Sequence, residues 1–389
     1  VLRVVLALVA FAILLPGCLT ALHLGAMSLA SLYFSPAPRR ASAPPVRFLV
    51  VIPAHNEELL LPTTLLAIEA ARRPRDQVLV VDDRSTDRTS EIARAHGAIV
   101  LRREPGEEPG RAAARQAAIR FSQTLDWDAM VMIDADSVVA PGFFDECEQA
   151  MADGAVALQA RSEAAAGRRL VDQAALASFA IQGVTLPRGR EALGLPVRLR
   201  GTGMVLRRDV LNRLDFRAKA SEDLQVSLDL LQEGVRTRHV ERARMRSANA
   251  DSWKIAGTQK QRYEAGRMAA AREFVPKLLR LHNAAGFEAA WFLVSPPFAS
   301  AAGLLVIGTV LGVVARSAWV TWIGISALVA MSFAFLVASI QGRVGWRMVA
   351  ALATAPFFIC WKLLIQLKAM FGLRGGLREF GATERRSAS

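Results

Sequence analysis

The sequence predicts an α/β domain built on a parallel sheet and placed between membrane-spanning segments. Three observations predict it. Uncharged runs long enough to cross a bilayer lie towards both ends of the chain. Short β-branched runs alternate with helical stretches across the middle, and acidic residues stand directly after those runs. The 389 residues carry 48 Lys and Arg against 35 Asp and Glu, a formal charge of +13, yet 52% are apolar and the mean hydropathy is +0.27. This balance excludes a disordered polycation and points to a membrane rather than nucleic acid as the partner of the basic surface. Cys18, Cys147 and Cys360 form neither a disulfide framework nor a CxxC metal knuckle, which excludes a disulfide-stapled secreted protein.

Residues 4–34 carry no formal charge, and a span needs about 20 apolar residues. Arg3, a short apolar core and the Leu15-Pro16-Gly17-Cys18 stretch outline a signal-peptide pattern. The apolar run continues well past it, as in an anchor, so residues 1–35 are read as a transmembrane anchor. A Pro/Ala/Arg linker at 35–45 leads to a domain at 46–288. Residues 289–315 and 317–342, separated only by Arg316, read as a transmembrane hairpin. Residues 343–389 then hold a third apolar stretch, 348–361, closed by Lys362, and a basic tail. Arg39, Arg40 and Arg47 follow the first span, and Arg343 and Arg347 follow the hairpin; both groups are cytoplasmic if residues 46–288 are. The tail, with Arg374, Arg378, Arg385 and Arg386, joins them only if 348–361 lies along the interface, which favours that placement over a crossing.

Within 46–288 the predicted elements alternate. A strand at 48–52 precedes a helix near 58–73. A strand at 78–81 precedes a helix that opens at Ser85-Thr86 and ends at Gly97. The strand 99–101 leads through a Pro/Gly loop to a helix at 111–123, and the strand 130–133 leads to a helix at 141–151. Continuous apolar strands alternating with helices imply a parallel sheet covered on both faces. An amphipathic helix at 224–233 ends at Gly234, and a strand-like run follows at 235–240.

His55-Asn56-Glu57, Asp82-Asp83 and Asp134-Ala135-Asp136 each follow a strand, so they share the crevice at the carboxyl ends of the sheet where α/β folds bind ligands. No P-loop exists. The only GxG is Gly201-Thr202-Gly203, with Leu206 where a dinucleotide fingerprint wants its third glycine. Asp134 and Asp136 form a hard-oxygen pair suited to Mg²⁺ or Mn²⁺ beside phosphates, or simply a turn and cap. Ser85 and Thr86 cap a helix in either reading. Glu222 and Asp223 open the amphipathic helix. They are either N-terminal helix acids or, for Asp223, a general base for a hydroxyl. Gln259, Arg262 and Tyr263 fall along one helical side, as a solvated face or as a diphosphate and sugar contact. His239 is a late metal ligand or a structural residue, and His23 a residue satisfied inside its apolar helix. Arg236, Arg238, Arg242, Arg244 and Arg246 meet anionic lipid or form a solvated basic surface.

In their order, these residues resemble the inverting, membrane-embedded family 2 glycosyltransferases of the GT-A type. That group contains the cellulose, chitin, hyaluronan and poly-N-acetylglucosamine synthases. The resemblance covers about residues 46–275. It implies a Rossmann-like GT-A domain for nucleotide sugars, inserted between transmembrane helices. Pro53, Glu57, Asp82 and Asp83 would then hold the base and ribose of a UDP-sugar. Asp134 and Asp136 would hold ribose and a Mg²⁺ or Mn²⁺ ion. Arg111, Gln259 and Arg262 would meet the diphosphate, and Gly201, Thr202, Gly203, Glu222 and Tyr263 would face the acceptor. Asp223 would be the catalytic base. Tyr263 stands where Trp is usual, and Arg111 where many relatives carry Lys. The implied activity is transfer, at the bacterial inner membrane with the catalytic domain cytoplasmic, to a cell-surface polysaccharide or its lipid-linked precursor. Membrane lipids and polysaccharide-export or assembly subunits are the implied partners, and nucleic acid is not. Single-sugar transfer to a polyprenyl phosphate is the nearest alternative, and a non-catalytic membrane scaffold the alternative of another class.

Overall fold

The structure, a computed structural model, describes residues 1–39, 43–108, 110–165, 167, 169–214, 222–248 and 253–345. The third C-terminal stretch, the basic tail, Cys360 and Ser221 lie outside the described residues. The chain forms two compact units. One comprises Ser35–Ala165 and Leu195–Arg267; the other comprises Val1–Phe34, Ala166–Gly194 and the described residues from Met268 onward.

In chain order the elements begin with α1 (Leu2–Leu32), β1 (Phe48–Ala54), α2 (Leu61–Ala71), β2 (Gln77–Asp82), α3 (Thr89–Ala95), β3 (Ile99–Arg102) and α4 (Arg111–Ser122). They continue with β4 (Ala129–Met132), β5 (Ser137–Val139), α5 (Phe143–Ala152), β6 (Ala157–Ala164) and α6 (Leu170–Phe179). A π-helical turn, Ala180–Thr185, runs into α7 (Leu186–Ala192). Then come β7 (Met204–Arg207), α8 (Arg208–Leu211), α9 (Glu222–Gln232), β8 (Arg238–Ser247), α10 (Trp253–Leu279), α11 (Ala284–Val294), α12 (Phe298–Val314) and α13 (Ala318–Gln341).

The first unit is a mixed sheet in the order β3-β2-β1-β4-β7-β6-β8-β5. Strands β3, β2, β1 and β4 are parallel, as the alternation of elements predicts. The expectation of a parallel sheet fails at β7, which runs antiparallel to both β4 and β6. The reversal has a local cause. The 201–203 turn hydrogen-bonds from Gly203 N to Met132 O at 2.8 Å, so β7 starts beside the carboxyl end of β4 and runs back along it.

Both faces of the sheet are buried at its central strands β1 and β4. Phe48, Val50 and Ile52 pack under α2 and α5 with Leu65, Ile68, Phe143 and Phe144. Leu49 and Val51 point to the other face, where Ala114 and Ala118 of α4 and Val226 and Leu230 of α9 cover them. All five apolar residues of β1 from Phe48 to Ile52 are 0% exposed, each contributing about 1.5–3 kcal/mol of burial. A strand apolar on both sides has no alternation to fix its register. Polar pins at its start do so instead: Arg47 N donates to Asp128 Oδ2 at 2.9 Å and Phe48 N to Asp76 Oδ1 at 3.0 Å.

The second unit is helical. Helices α1 and α13 are each long and apolar enough to cross a membrane. The run expected to span at 289–315 is a bent pair, α11 and α12, with 75° between them. Pro296 and Pro297 cause the break, since neither donates an N–H and each disfavours helical geometry in the residue before it. Close approach of α1 to α12 depends on small residues. A Cβ on Gly17 would meet Ala301 O at 2.9 Å, and one on Gly308 would overlap Leu14. His23 is satisfied inside this unit: its Nε2 lies 3.2 Å from Glu288 Oε1, which also accepts from Arg190.

Candidate active site

The loops after β1 and β2 are zipped to each other. His55 Nδ1 lies 2.6 Å from Asp83 O, Asn56 N donates to Ser85 Oγ at 3.0 Å, and Glu57 N donates to Thr89 Oγ1 at 2.9 Å. Thr86 N returns a bond to Asn56 Oδ1 at 2.8 Å. Asn56 and Arg84 both take left-handed backbone conformations, with φ of 54° and 64°, to make these turns. Ser85 is thereby consumed by the loop. Helix α3 opens at Thr89, later than Ser85-Thr86 would place it, and Asp87 Oδ1 accepts Thr89 N at 3.0 Å.

The two acidic residues at the end of β2 are both buried and do different work. Asp82 accepts Ser85 N at 2.8 Å and the Ser90 hydroxyl, so it organises its own loop. Asp83 accepts Arg103 Nη1 at 2.7 Å and Gly110 N at 2.8 Å, which ties the end of β2 to the start of α4. Pro53 sits in β1 opposite Val81.

At the end of β4 a second cluster forms. Asp134 Oδ2 accepts Arg111 Nη1 at 2.9 Å, and Asp134 Oδ1 accepts Arg115 Nη2 at 3.2 Å. Arg115 also donates to Glu222 Oε1 at 2.7 Å and to the carbonyl of Gly201. Thr202 Oγ1 lies 3.1 Å from Asp134 N. Gln159, buried on β6, fixes the same turn by donating to Thr202 O at 3.0 Å and accepting Arg200 N at 2.9 Å. Gly201 takes a left-handed φ of 75°, the conformation that calls for glycine here. Its missing Cβ would sit 3.5 Å from both Arg111 Nη1 and Asp223 Oδ2.

Asp223 is the titratable group this environment alters most usefully. Burial, and then the Glu222 charge beside it, push its carboxyl up to about 6 against the opposing pull of Arg115, the Leu224 N–H and Arg111. Leu224 N donates to Asp223 Oδ1 at 2.9 Å. The Arg111 guanidinium is held above its ordinary range, first by Asp134. Burial raises the Tyr263 phenol, with Arg198 opposing and Asp223 adding. Burial lowers Arg200, against Tyr263 and Asp223. Tyr263 and Arg200 therefore share the electrostatic field of Asp223.

The structure brings together Asp134, Arg111, Gly201, Thr202, Glu222 and Asp223, with Asp136 and Tyr263 in their field. Arg262 is exposed on α10, and Lys260 covers the Tyr263 ring, its Nζ 4.7 Å from the centroid. Gln259 lies in α10, its side chain outside the described residues. His239 is buried with Glu241, its Nε2 3.1 Å from Glu241 Oε2. Sequence reasoning missed Arg103 and Arg115. Arg115 carried one signal: it follows Arg111 by four residues, on the same helical side.

Among the described residues, no group of three or more His, Cys, Asp or Glu side chains could hold a metal ion. The donor set at 134 and 136 is a pair of carboxylates. Such a pair fits Mg²⁺ or Mn²⁺, which bind through one or two carboxylates and complete their shell with substrate phosphate and water.

A mixed α/β sheet carrying acidic loops at the carboxyl ends of its parallel strands is a GT-A-like fold. The model of the "Glycosyltransferase like family 2" matches residues 44–266, and the chain belongs to that family. It is 25% identical over 251 residues to the "Probable glycosyltransferase YdaM" of Bacillus subtilis, covering 60% of this chain and 58% of that one. It is 36% identical over 118 residues to the "Uncharacterized glycosyltransferase Rv0539" of Mycobacterium tuberculosis, covering 30% of this chain and 50% of that one. The chain thus spans less than two thirds of the length of either relative. Among solved structures, the mannosyltransferase PcManGT from Pyrobaculum calidifontis, in complex with GDP-Man and Mn2+, has the same fold. It aligns with a TM-score of 0.55 and 16% identity, over 95% of this chain and 100% of that one.

Proposed function

We propose that the protein transfers a sugar from a UDP-sugar, with inversion, to an acceptor hydroxyl at the membrane surface. A growing cell-surface polysaccharide or its lipid-linked precursor is the acceptor, and the bacterial inner membrane, with the catalytic unit cytoplasmic, is the place. The observation that carries this reading is the Asp223 carboxylate, half-buried and pushed up to about 6, beside the Asp134 and Arg111 pair. A base with a pKa just below the working pH is largely ionised yet still basic enough to accept a proton. In the proposed reaction the acceptor oxygen bonds to the anomeric carbon from the face opposite the diphosphate. Its proton passes to Asp223 as the bond to the diphosphate oxygen breaks.

Asp83 and the 55–57 loop line the nucleotide end, and the Gly201–Gly203 turn and Tyr263 line the acceptor end. Asp134 and Asp136 would hold Mg²⁺ or Mn²⁺, which supplies positive charge to a leaving diphosphate. Arg111, 51% exposed at its side chain, is free to turn from Asp134 towards the diphosphate.

The test is Asp223→Asn in native membranes, incubated with radiolabelled UDP-sugars and with GDP-mannose, the nucleotide sugar held by the mannosyltransferase of the same fold. Transfer is expected to fall by about 100-fold or more. Transfer at the unaltered rate would overturn the base assignment. Product mass distinguishes a single addition to a polyprenyl phosphate from a polymer, and use of GDP-mannose alone would overturn the UDP reading.

A further inference from the structure

Arg115 presents a physical puzzle. Its side chain is 0% exposed, its Nε is buried without a hydrogen-bond partner, and it sits on α4 between Ala114 and Ala118, which belong to the apolar core. Replacing buried ion pairs by apolar side chains is often neutral or stabilising, so stability alone does not account for a guanidinium here. Its contacts do. One Nη reaches Glu222, the first residue of α9 and the neighbour of Asp223. The other reaches Asp134 and the carbonyl of Gly201. A single planar group thus joins the end of β4, the turn before β7 and the start of α9. Arg111, one helical turn away, holds the remaining oxygen of Asp134 but is half exposed. One arginine can be exchanged for substrate while the other is fixed.

We propose that Arg115 is a positioning residue for sugar transfer, holding the Asp223-bearing start of α9 in register with Asp134 on the donor side. Lysine cannot do this, because an ammonium is a point charge without the rigid fork that spans separate acceptors. The inference rests on Asp223 as the base, and its test keeps the two apart.

Among the described residues, the charged or titratable groups in the field of Asp223 are Glu222 on its own helix, Arg111 and Arg115 from α4, Arg200 from the loop before β7, and the neutral phenol of Tyr263 from α10. Three variants of the full chain, R115M, R115K and E222Q, are compared in detergent. The measurements are kcat and KM across pH 5–9, UDP binding by calorimetry, and thermal unfolding. R115M is expected to lose about 100-fold in kcat, the scale of a 1 Å misplacement, while UDP affinity changes much less. Its acidic limb should move up by about one pH unit, because a cation near the base is gone. E222Q should move the limb down, because an anion is gone. R115K should leave the limb in place yet lose about tenfold in kcat, separating charge from geometry. If R115M fails to fold, R115K and E222Q decide the matter. Unchanged kcat in R115K, with an unmoved limb in E222Q, would overturn the role of Arg115 while Asp223→Asn remains inactive. An active Asp223→Asn would instead overturn the base assignment itself.

Discussion

The Asp223 carboxyl has a consequence for stability as well as for transfer. Its folded value is about 6 against 3.8 in the unfolded chain. Between those values the folded state binds more protons than the unfolded state, so stability falls as pH rises through the window. Above about pH 6 the whole cost is present, on the order of 3 kcal/mol. Asp223→Asn is therefore expected to raise the melting temperature at pH 8 and to leave it unchanged at pH 4. An equal effect at both pH values would show that ionisation of Asp223 carries no cost in the folded chain. The residues of this cluster were unequally legible in the sequence. Asp83, Asp134 and Asp136 stood out because carboxylates directly after apolar strands must lie at the carboxyl edge of the sheet. Arg115 did not, because an arginine among alanines has the same pattern whether it faces water or a buried carboxylate. Only tertiary packing decides that, and here it leaves Arg115 fully enclosed.

Strands β1 to β4 were readable from their apolar runs, and their ends fell within two residues of the predicted ones, whereas the strand-like run expected at 235–240 is β8, Arg238–Ser247. The reversal at β7 was not readable, since the three apolar residues Met204, Val205 and Leu206 carry no direction. Its direction comes from the turn before it, where Gly203 takes a φ of 68° and a Cβ would overlap Met245 Sδ and lie 3.1 Å from Ala160 Cβ. Left-handed backbone costs a non-glycine residue about 1–2 kcal/mol, and the crowding adds to it. Gly203→Ala is accordingly expected to destabilise the unit by about 2 kcal/mol or more, read as a lower urea midpoint. It should also weaken transfer, because the same turn sets Gly201 against Arg115. Gly97→Ala is the comparison: it also has positive φ, at 69°, but nothing lies within 4 Å of its Cβ. Gly97→Ala should show the backbone cost alone and leave transfer intact. Equal losses in the two variants would mean that packing around Gly203 contributes nothing. Helix α3 teaches the same lesson from the other side. Ser85-Thr86 had the composition of a cap, but Asn56 and Asp82 claimed Ser85 first, and a long-range partner outweighed a local preference.

Across the whole molecule, the high basic charge and the positive mean hydropathy occupy different places. The apolar excess lies mainly in α1 and in α11 to α13, while Arg111 and Arg115 meet carboxylates in the sheet unit. What the hydropathy pattern could not distinguish was a straight span from a bent one, because an average over a window is blind to Pro296 and Pro297. The 75° bend leaves two geometries: a broken span that crosses, or a re-entrant segment that returns to the side it entered. Charge placement predicts one of them, and a reporter fusion tests it. Arg316 is the only charged residue between the apolar run through α12 and α13, whereas Arg39, Arg47 and Arg343 lie beyond the outer ends of α1 and α13. Basic residues concentrate on the cytoplasmic side, so a crossing pair puts Arg39, Arg47 and Arg343 inside and the single Arg316 outside. A re-entrant pair would leave Arg316 inside and force α13 to deliver Arg343 to the outside. Alkaline phosphatase fused after Arg316 is therefore expected to be active, and the same reporter fused after Arg343 inactive. The reverse pattern would make α11 and α12 re-entrant, and would also require α13 to cross in the opposite direction.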